Sequence, residues 1–161
     1  LLMLACGQPL MAYDGQATNK HPLSFGFDQA LIDLNRLTWG PLEHEGVPPG
    51  AEIAVVRGEM KTGPVEAVVR LPANYTFPPH SHTSDETYIW MKGDFTYVAE
   101  DGTAVDLSGQ TFISLPANVP HALICKGQPC LFYLRYSRAF NMKIYPLPKL
   151  KKVSLETEEK K

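Results

Sequence analysis

The chain carries a series of short runs of β-branched and aromatic residues from Ala51 onwards. The runs AEIAVVRG and VEAVVRL are separated by the turn-forming stretch GEMKTGP, and further strand-length segments continue as far as Phe140. Asp101-Gly102 is a strong hairpin turn signal between two of these segments. Short strands separated by turns every ~8 to 12 residues are typical of an antiparallel sandwich or barrel. The pattern therefore predicts an all-β fold.

The two ends of the chain lack this pattern, which sets the predicted domain boundaries. Residues 1–35 are predicted to be a leader or linker with an N-terminal extension, residues 36–148 the barrel, and residues 149–161 a charged tail. The stretch FDQALIDLNRLTWGPL at the first boundary is compatible with one short helix or with a strand that enters the domain. The tail is expected to be solvated or to form a short surface helix.

Composition supports a single globular domain of ordinary charge. The 161 residues are 44% hydrophobic and 20% charged, with a net charge of −2. There is no basic excess, so no nucleic-acid partner is expected. Because no run approaches ~18 apolar residues, no membrane-spanning segment is predicted. The 14 prolines and 12 glycines are spread along the chain, which favours strands and turns over a helical bundle.

The three cysteines bear on the compartment in which the protein works. CKGQPC places Cys125 and Cys130 where they either close a small hairpin disulfide or remain free thiols. The N-terminal LLMLACGQ resembles the end of a secretory signal followed by a lipobox, with Met3 where such boxes usually carry Leu. On that interpretation Cys6 is lipidated, and the protein is an exported, periplasmic or membrane-anchored lipoprotein. The alternative is a cytoplasmic protein with an incidental cysteine near an apolar end.

The densest chemical signal is the stretch HSHTSDETY. His80 and His82 are two residues apart, so on a strand their side chains leave from the same face. Glu86 follows after the short turn sequence TSD and can converge on them from the next strand. Two imidazoles and a carboxylate form a partial shell for a divalent transition metal, whereas two exposed histidines alone would carry no function.

With these residues in place, the sequence resembles the cupin superfamily. Its first motif is Gly, five residues, His-x-His, three or four residues, Glu, six residues and Gly, and the chain fits it from His80 to Gly93. The second motif is matched by GQTFISLPANVPHALIC, which contains His121. The departures are Asn74 in place of the leading Gly, Asn118 in place of a central Gly, Cys125 where Asn is usual, and one extra residue after Gly109.

Both replaced glycines fall in the same four letters, LPAN, at residues 71–74 and 115–118. Gly is used where the backbone φ must be positive, and Asn is the commonest other residue tolerated there. The two LPAN stretches are therefore predicted to be equivalent turns with positive φ at Asn, each directing its strand so that a histidine points inward. A chance repetition is the alternative.

The resemblance implies a double-stranded β-helix, the cupin or jelly-roll barrel. It implies one divalent transition metal held by His80, His82, Glu86 and His121, with Fe²⁺ or Mn²⁺ favoured and Zn²⁺, Ni²⁺ or Cu²⁺ as alternatives. It also implies a homodimer. A metal-free barrel in which these side chains pair with one another is the competing interpretation.

Alternation along the strands extends the predicted site. Tyr88 and Trp90 share the face of Glu86 and are expected inside the barrel, where Tyr88 is a candidate acid or base. The remaining residues predicted to line the pocket, besides Trp90, are Phe112, Ser114, Leu123 and Cys125.

Three function classes follow from this site. The first is a metal-dependent enzyme, an oxidoreductase of dioxygenase type acting on a small organic molecule. A lyase or isomerase using the metal and Tyr88 is the enzymatic alternative, since Glu-x-Tyr resembles an element of cupin-type sulfonium-propionate lyases. The second class is a non-catalytic sensing module, as in the cupin domains of anti-sigma factors. The third is a structural dimer scaffold.

Overall fold

The computed structural model describes residues 23–24 and 30–155. In this part of the chain the strands are β1 (Leu23–Ser24), β2 (Ala30–Leu31), β3 (Gly40–Pro41), β4 (Glu52–Gly58), β5 (Val65–Leu71), β6 (Thr76–Ser81), β7 (Glu86–Lys92), β8 (Phe95–Ala99), β9 (Thr103–Leu107), β10 (Phe112–Leu115), β11 (His121–Cys125), β12 (Cys130–Tyr136), β13 (Lys143–Ile144) and β14 (Lys151–Val153). The predicted all-β fold is confirmed.

The strands from β3 onwards form two six-stranded sheets. The first sheet has the order β10-β7-β12-β5-β4-β3, and the second has the order β13-β6-β11-β8-β9-β14. All pairings are antiparallel except that of β14 with β9. The predicted hairpin at Asp101-Gly102 joins β8 to β9 in the second sheet.

The ambiguous stretch before the barrel is neither one helix nor one strand. It contains β2, a short 3₁₀ turn at Leu34–Arg36 and the two-residue β3. The Asp33 side chain caps the turn by accepting a hydrogen bond from the backbone N–H of Asn35 at 3.0 Å. Cys6, on which the lipoprotein prediction depends, lies outside the described residues. No helix in the described ranges has the length and apolarity needed to cross a bilayer.

The core lies between the two sheets and is centred on stacked aromatic rings. Trp90 of the first sheet is 0% exposed and stacks on Phe95 of the second sheet with the ring centroids 3.6 Å apart. Its other stacking partner is Phe132, at 4.5 Å, and its indole N–H donates to the carbonyl of Gly93 at 2.8 Å. One side chain thus ties the inner faces of both sheets together.

The two LPAN turns have the predicted backbone geometry. Asn74 has φ of 59° and Asn118 has φ of 64°, both in the left-handed region. The N–H of Asn74 donates to the carbonyl of Lys126, and the N–H of Asn118 donates to the carbonyl of His82, each at 2.7 Å. The prediction of positive φ at both asparagines is confirmed, and the second turn is bonded directly to the backbone of a candidate ligand.

Replacing Asn74 with Ala is expected to lower the free energy of unfolding by about 1–2 kcal/mol, because a Cβ-bearing residue without a local amide is strained at positive φ. Asn74→Gly is the matched control and should unfold close to the wild type, since Gly adopts this φ without strain. Urea denaturation of the three proteins measures the difference. Equal stability of the Ala and Gly variants would contradict the conformational account.

The structure decides between the two states predicted for Cys125 and Cys130, and it describes part of the predicted tail. Cys125 and Cys130 form a disulfide that closes the connection between β11 and β12, and both are 1% exposed. They are therefore not free thiols. Within residues 149–161, predicted to be a solvated tail or a short surface helix, Lys151–Val153 form the exposed strand β14. Between β13 and β14, residues 145–150 cross the outer face of the second sheet, above a small apolar cluster that includes Val98, Ala104 and Ala122.

Candidate metal centre

Four sequence-predicted ligands meet inside the barrel. His80 lies near the end of β6, and His121 begins β11, where the two residues are direct cross-strand partners. His82 comes one residue after β6, and Glu86 begins β7. All four are at most 4% exposed. The centroid of the His80 imidazole lies 4.3 Å from that of His121 and 5.0 Å from that of His82.

Each imidazole is oriented by a backbone carbonyl. Nδ1 of His80 donates to the carbonyl of Pro78 at 2.8 Å, and Nδ1 of His121 donates to that of Val119 at 3.1 Å. Nδ1 of His82 donates to the carbonyl of Asn141. Since a carbonyl can only accept, all three rings carry their proton on Nδ1 and present Nε2 with its lone pair. This is the arrangement that metal-ligating histidines normally have.

Glu86 and Tyr88 complete the cluster. One carboxylate oxygen of Glu86 lies 3.2 Å from Nε2 of His82, and the other lies 3.5 Å from Nε2 of His121. The Tyr88 hydroxyl donates to Glu86 and lies 3.1 Å from Nε2 of His121. A proton-bearing oxygen is therefore in contact with two of the four candidate ligands.

Burial dominates the electrostatics of this site. It lowers the pKa of His82 and of His121 to about 4 each, and that of His80 well below its ordinary value. Burial likewise raises the pKa of Glu86 to about 8. At neutral pH the imidazoles are neutral, so their contacts with Glu86 are not ion pairs. Neutral imidazole is the form that binds a transition metal, and an added cation would favour the ionised carboxylate.

Two of the separations between donor atoms are compatible with a metal centre. Two ligand atoms that are each about 2.1 Å from a metal lie about 3.0 Å apart at right angles and about 3.4 Å apart in a tetrahedron. The carboxylate-to-imidazole separations of 3.2 Å and 3.5 Å fall close to this interval. Three imidazoles and one carboxylate are also a donor set that suits divalent iron, manganese, zinc, nickel or copper.

The candidate ligands do not form a complete metal shell in this arrangement. Within residues 23–24 and 30–155, no group of three or more His, Cys, Asp or Glu side chains is already arranged to hold a metal ion. The Tyr88 hydroxyl lies among the candidate ligand atoms, where it donates to Glu86 and lies 3.1 Å from Nε2 of His121.

The predicted pocket residues divide into three groups. Tyr88 and Leu123 line the small cavity beside the histidines. Trp90 and Cys125 are buried, but Trp90 lies in the aromatic stack and Cys125 in the disulfide. Phe112 and Ser114 point outward, and the Phe112 side chain is 67% exposed. Their assignment to the pocket was wrong because β10 pairs with β7 in the register that places Phe112 opposite the exposed Ile89.

Sequence reasoning missed three residues around the ligands. The Tyr136 hydroxyl lies 3.5 Å from Nε2 of His82, and the ring of Phe140 lies 5.4 Å from that imidazole. Asn141 accepts the His82 hydrogen bond through its carbonyl. The alternation of Phe132, Leu134 and Tyr136 in one strand was a signal for an inward Tyr136. Nothing local predicted that residues 136–141 would reach His82.

The cavity beside the ligands is small and largely apolar. It measures about 20 Å³, enough for about one water molecule. Its walls include Phe77, Leu123, Leu134, Phe140, Met142 and the His80 ring.

Two facing antiparallel sheets around a buried histidine cluster define a double-stranded β-helix of the cupin superfamily. The chain belongs to the family of ChrR cupin-like domains, which matches residues 28–138. No functionally curated protein has a sequence that matches the chain.

Solved structures with the same fold include several enzymes. The polyketide cyclase RemF from Streptomyces resistomycificus has a TM-score of 0.57 and 15% identity, with 72% of this chain and 84% of that protein covered. A predicted oxalate decarboxylase from Thermotoga maritima has a TM-score of 0.58 and 16% identity, with 67% and 98% covered. The DMSP lyase DddQ from Ruegeria pomeroyi has a TM-score of 0.55 and 20% identity, and this chain spans 60% of that protein. At these identities the likeness shows the fold alone.

Proposed function

We propose that the protein binds one divalent transition metal through His80, His82, Glu86 and His121, and that it uses Tyr88 as an acid or base on a small organic molecule. The observation that carries the proposal is the Tyr88 hydroxyl, which contacts both Glu86 and His121 in the buried space between the two sheets. When bound, the metal supplies Lewis-acid chemistry.

The chain's own residues supply orientation, exclusion of water and a proton. The three imidazoles are held neutral and with Nε2 available by burial and by backbone carbonyls. Tyr88 is 2% exposed and has its oxygen beside the ligands, where it can give a proton to a substrate oxygen or carbon. Burial raises the pKa of this hydroxyl well above its ordinary value, so it would have to be ionised by a neighbouring cation before it could take a proton. The apolar walls keep bulk water from competing for that proton. This geometry favours the alternative, proton-transfer chemistry of the lyase or isomerase kind, and the dioxygenase function favoured by the sequence stays a prediction.

A sensing module is the second candidate. It is favoured by the cavity of about 20 Å³, which has room for about one water molecule but for no organic substrate without rearrangement, and by membership of the ChrR cupin-like family. A sensor of this kind would bind the metal or a ligand tightly and catalyse nothing.

The deciding experiment starts from protein reconstituted anaerobically with Fe²⁺, Mn²⁺ or Zn²⁺. We expect close to one metal per chain, and turnover of some member of a panel of small acids, diketones and phenols without O₂ uptake. Tyr88→Phe should keep its metal and lose turnover by about 10²–10⁴-fold, the usual contribution of a positioned acid or base. Tyr133→Phe, in the strand beside it, is the control and should match the wild type.

Four outcomes would overturn parts of the proposal. Absence of metal after reconstitution removes the metal site. O₂ consumption with a member of the panel moves the assignment to a dioxygenase. Full turnover by Tyr88→Phe removes the acid or base role, and tight metal or ligand binding with no turnover of the panel favours the sensing module.

A further inference from the structure

The three imidazoles are not supported in the same way. His80 and His121 each donate to the carbonyl two residues earlier in their own strand or turn, Pro78 and Val119. His82 instead donates to the carbonyl of Asn141, 59 residues further along the chain. Two ligands therefore keep their orientation through local backbone, while the third depends on a distant segment.

Asn141 holds the residue after His82 as well. Its side-chain Oδ1 accepts a hydrogen bond from the backbone N–H of Thr83 at 2.9 Å, and its Nδ2 donates to the Thr83 hydroxyl. Backbone and side chain of Asn141 thus make three hydrogen bonds to two consecutive residues. These bonds fix the position of residues 137–142, named here the closing segment, against the ligand-bearing turn.

The same turn is bonded to the start of the closing segment. The Ser84 hydroxyl lies 3.2 Å from the Ser137 hydroxyl and accepts from the N–H of Arg138 at 3.0 Å. Ser137 also exchanges hydrogen bonds with the backbone of Asp85, at 3.1 Å each. The turn from His82 to Glu86 is therefore tied to the closing segment at both ends.

The closing segment is also one wall of the cavity. Phe140 and Met142 line it directly, and the N–H of Phe140 donates to the carbonyl of Met60 at 2.7 Å. Because the cavity measures about 20 Å³, an organic molecule can reach the ligands through this wall only if these side chains move.

We propose that Asn141 is a positioning residue that couples the closing segment to His82, so that opening the cavity at this wall and releasing the His82 imidazole are one event. The functional meaning rests on the proposed metal site. The coupling itself is a property of the metal-free chain and does not depend on the metal site. By linkage, a metal held on Nε2 of His82 should favour the closed segment as much as the closed segment favours the metal.

The test compares wild-type protein with Asn141→Ala, which removes both side-chain bonds to Thr83. In metal-free protein labelled with ¹⁵N-histidine, long-range ¹H–¹⁵N spectra report the tautomer of each ring. We expect the rings of His80, His82 and His121 to be protonated at Nδ1 in the wild type. Asn141→Ala should alter the spectral signature of the His82 tautomer, while His80 and His121 keep theirs. The affinity for Zn²⁺, measured by calorimetry, should fall about 10-fold, and release of Zn²⁺ to a chelator should be faster.

Two variants control the test. Arg138→Ala changes an exposed side chain of the closing segment and should behave as the wild type, and Asn141→Asp, which keeps the acceptor for Thr83, should recover part of the His82 signature. If Asn141→Ala does not fold, Thr83→Val removes one bond of the set and should shift the His82 signature in the same direction.

An unchanged His82 signature in Asn141→Ala, or an equal change in all three rings, would overturn the coupling. Absence of Zn²⁺ binding by the wild type with the three tautomers intact would instead overturn the proposed function and leave the coupling in place.

Discussion

Replacing His121 with Ala is expected to abolish stoichiometric metal binding. His121 is 1% exposed, its Nε2 contacts both Glu86 and Tyr88, and its ring lies beside that of His80. Loss of a direct ligand should weaken affinity by more than the ~10–100-fold that follows loss of a supporting partner. Elemental analysis after reconstitution and gel filtration should therefore find far less than one metal per chain.

The control must separate loss of a ligand from damage to the core. Leu123→Ala shortens another buried side chain of β11, two residues away, and leaves all four candidate ligands in place. It should cost stability of about 2–5 kcal/mol but retain metal at nearly one per chain. If His121→Ala retained metal as well as Leu123→Ala does, His121 would not be a ligand.

Trp90→Ala is expected to have the largest effect on stability. The indole is fully buried between Phe95 and Phe132, with ring centroids 3.6 Å and 4.5 Å away, and it bridges the two sheets. Truncating a buried Trp costs about 3–5 kcal/mol, which for a chain of this length lowers Tm by about 10 °C. Calorimetric or circular-dichroism melting of the metal-free protein measures the shift.

The neighbouring residue offers a matched comparison. Ile89 precedes Trp90 on the same strand, but its side chain points outward and is 47% exposed. Ile89→Ala should change Tm by no more than about 2 °C, since surface substitutions usually stay within about 0.5 kcal/mol. Similar shifts in Tm for the two variants would contradict the conclusion that the aromatic stack is a main source of stability.

Features that depend on neighbouring residues were accessible from the sequence. The short strands and their turns could be predicted because alternation and turn residues are local signals. The positive φ of Asn74 and Asn118 followed from the conformational freedom that Asn shares with Gly. The convergence of His80, His82 and Glu86 followed from a spacing of six residues across one turn.

Features set by pairing between distant strands were not accessible. The outward direction of Phe112 depends on its register against Ile89, and a shift of one residue reverses every side chain of a strand. The contact of Asn141 with His82 depends on the path of the chain after β12. The choice between a disulfide and free thiols depends on how closely two strand ends approach, which spacing alone does not determine.

The crossing of residues 145–150 over the second sheet has a consequence for self-association. It allows one continuous segment to place β13 beside β6 and β14 beside β9. The two edge strands of the sheet are therefore only two or three residues long. These strands carry Lys143, Lys151 and Lys152, and the last pairs with Asp106 at 3.3 Å. Very short edge strands that carry lysine are a known protection against edge-to-edge aggregation. The C-terminal residues thus shield the long inner strands of this sheet from pairing with another molecule.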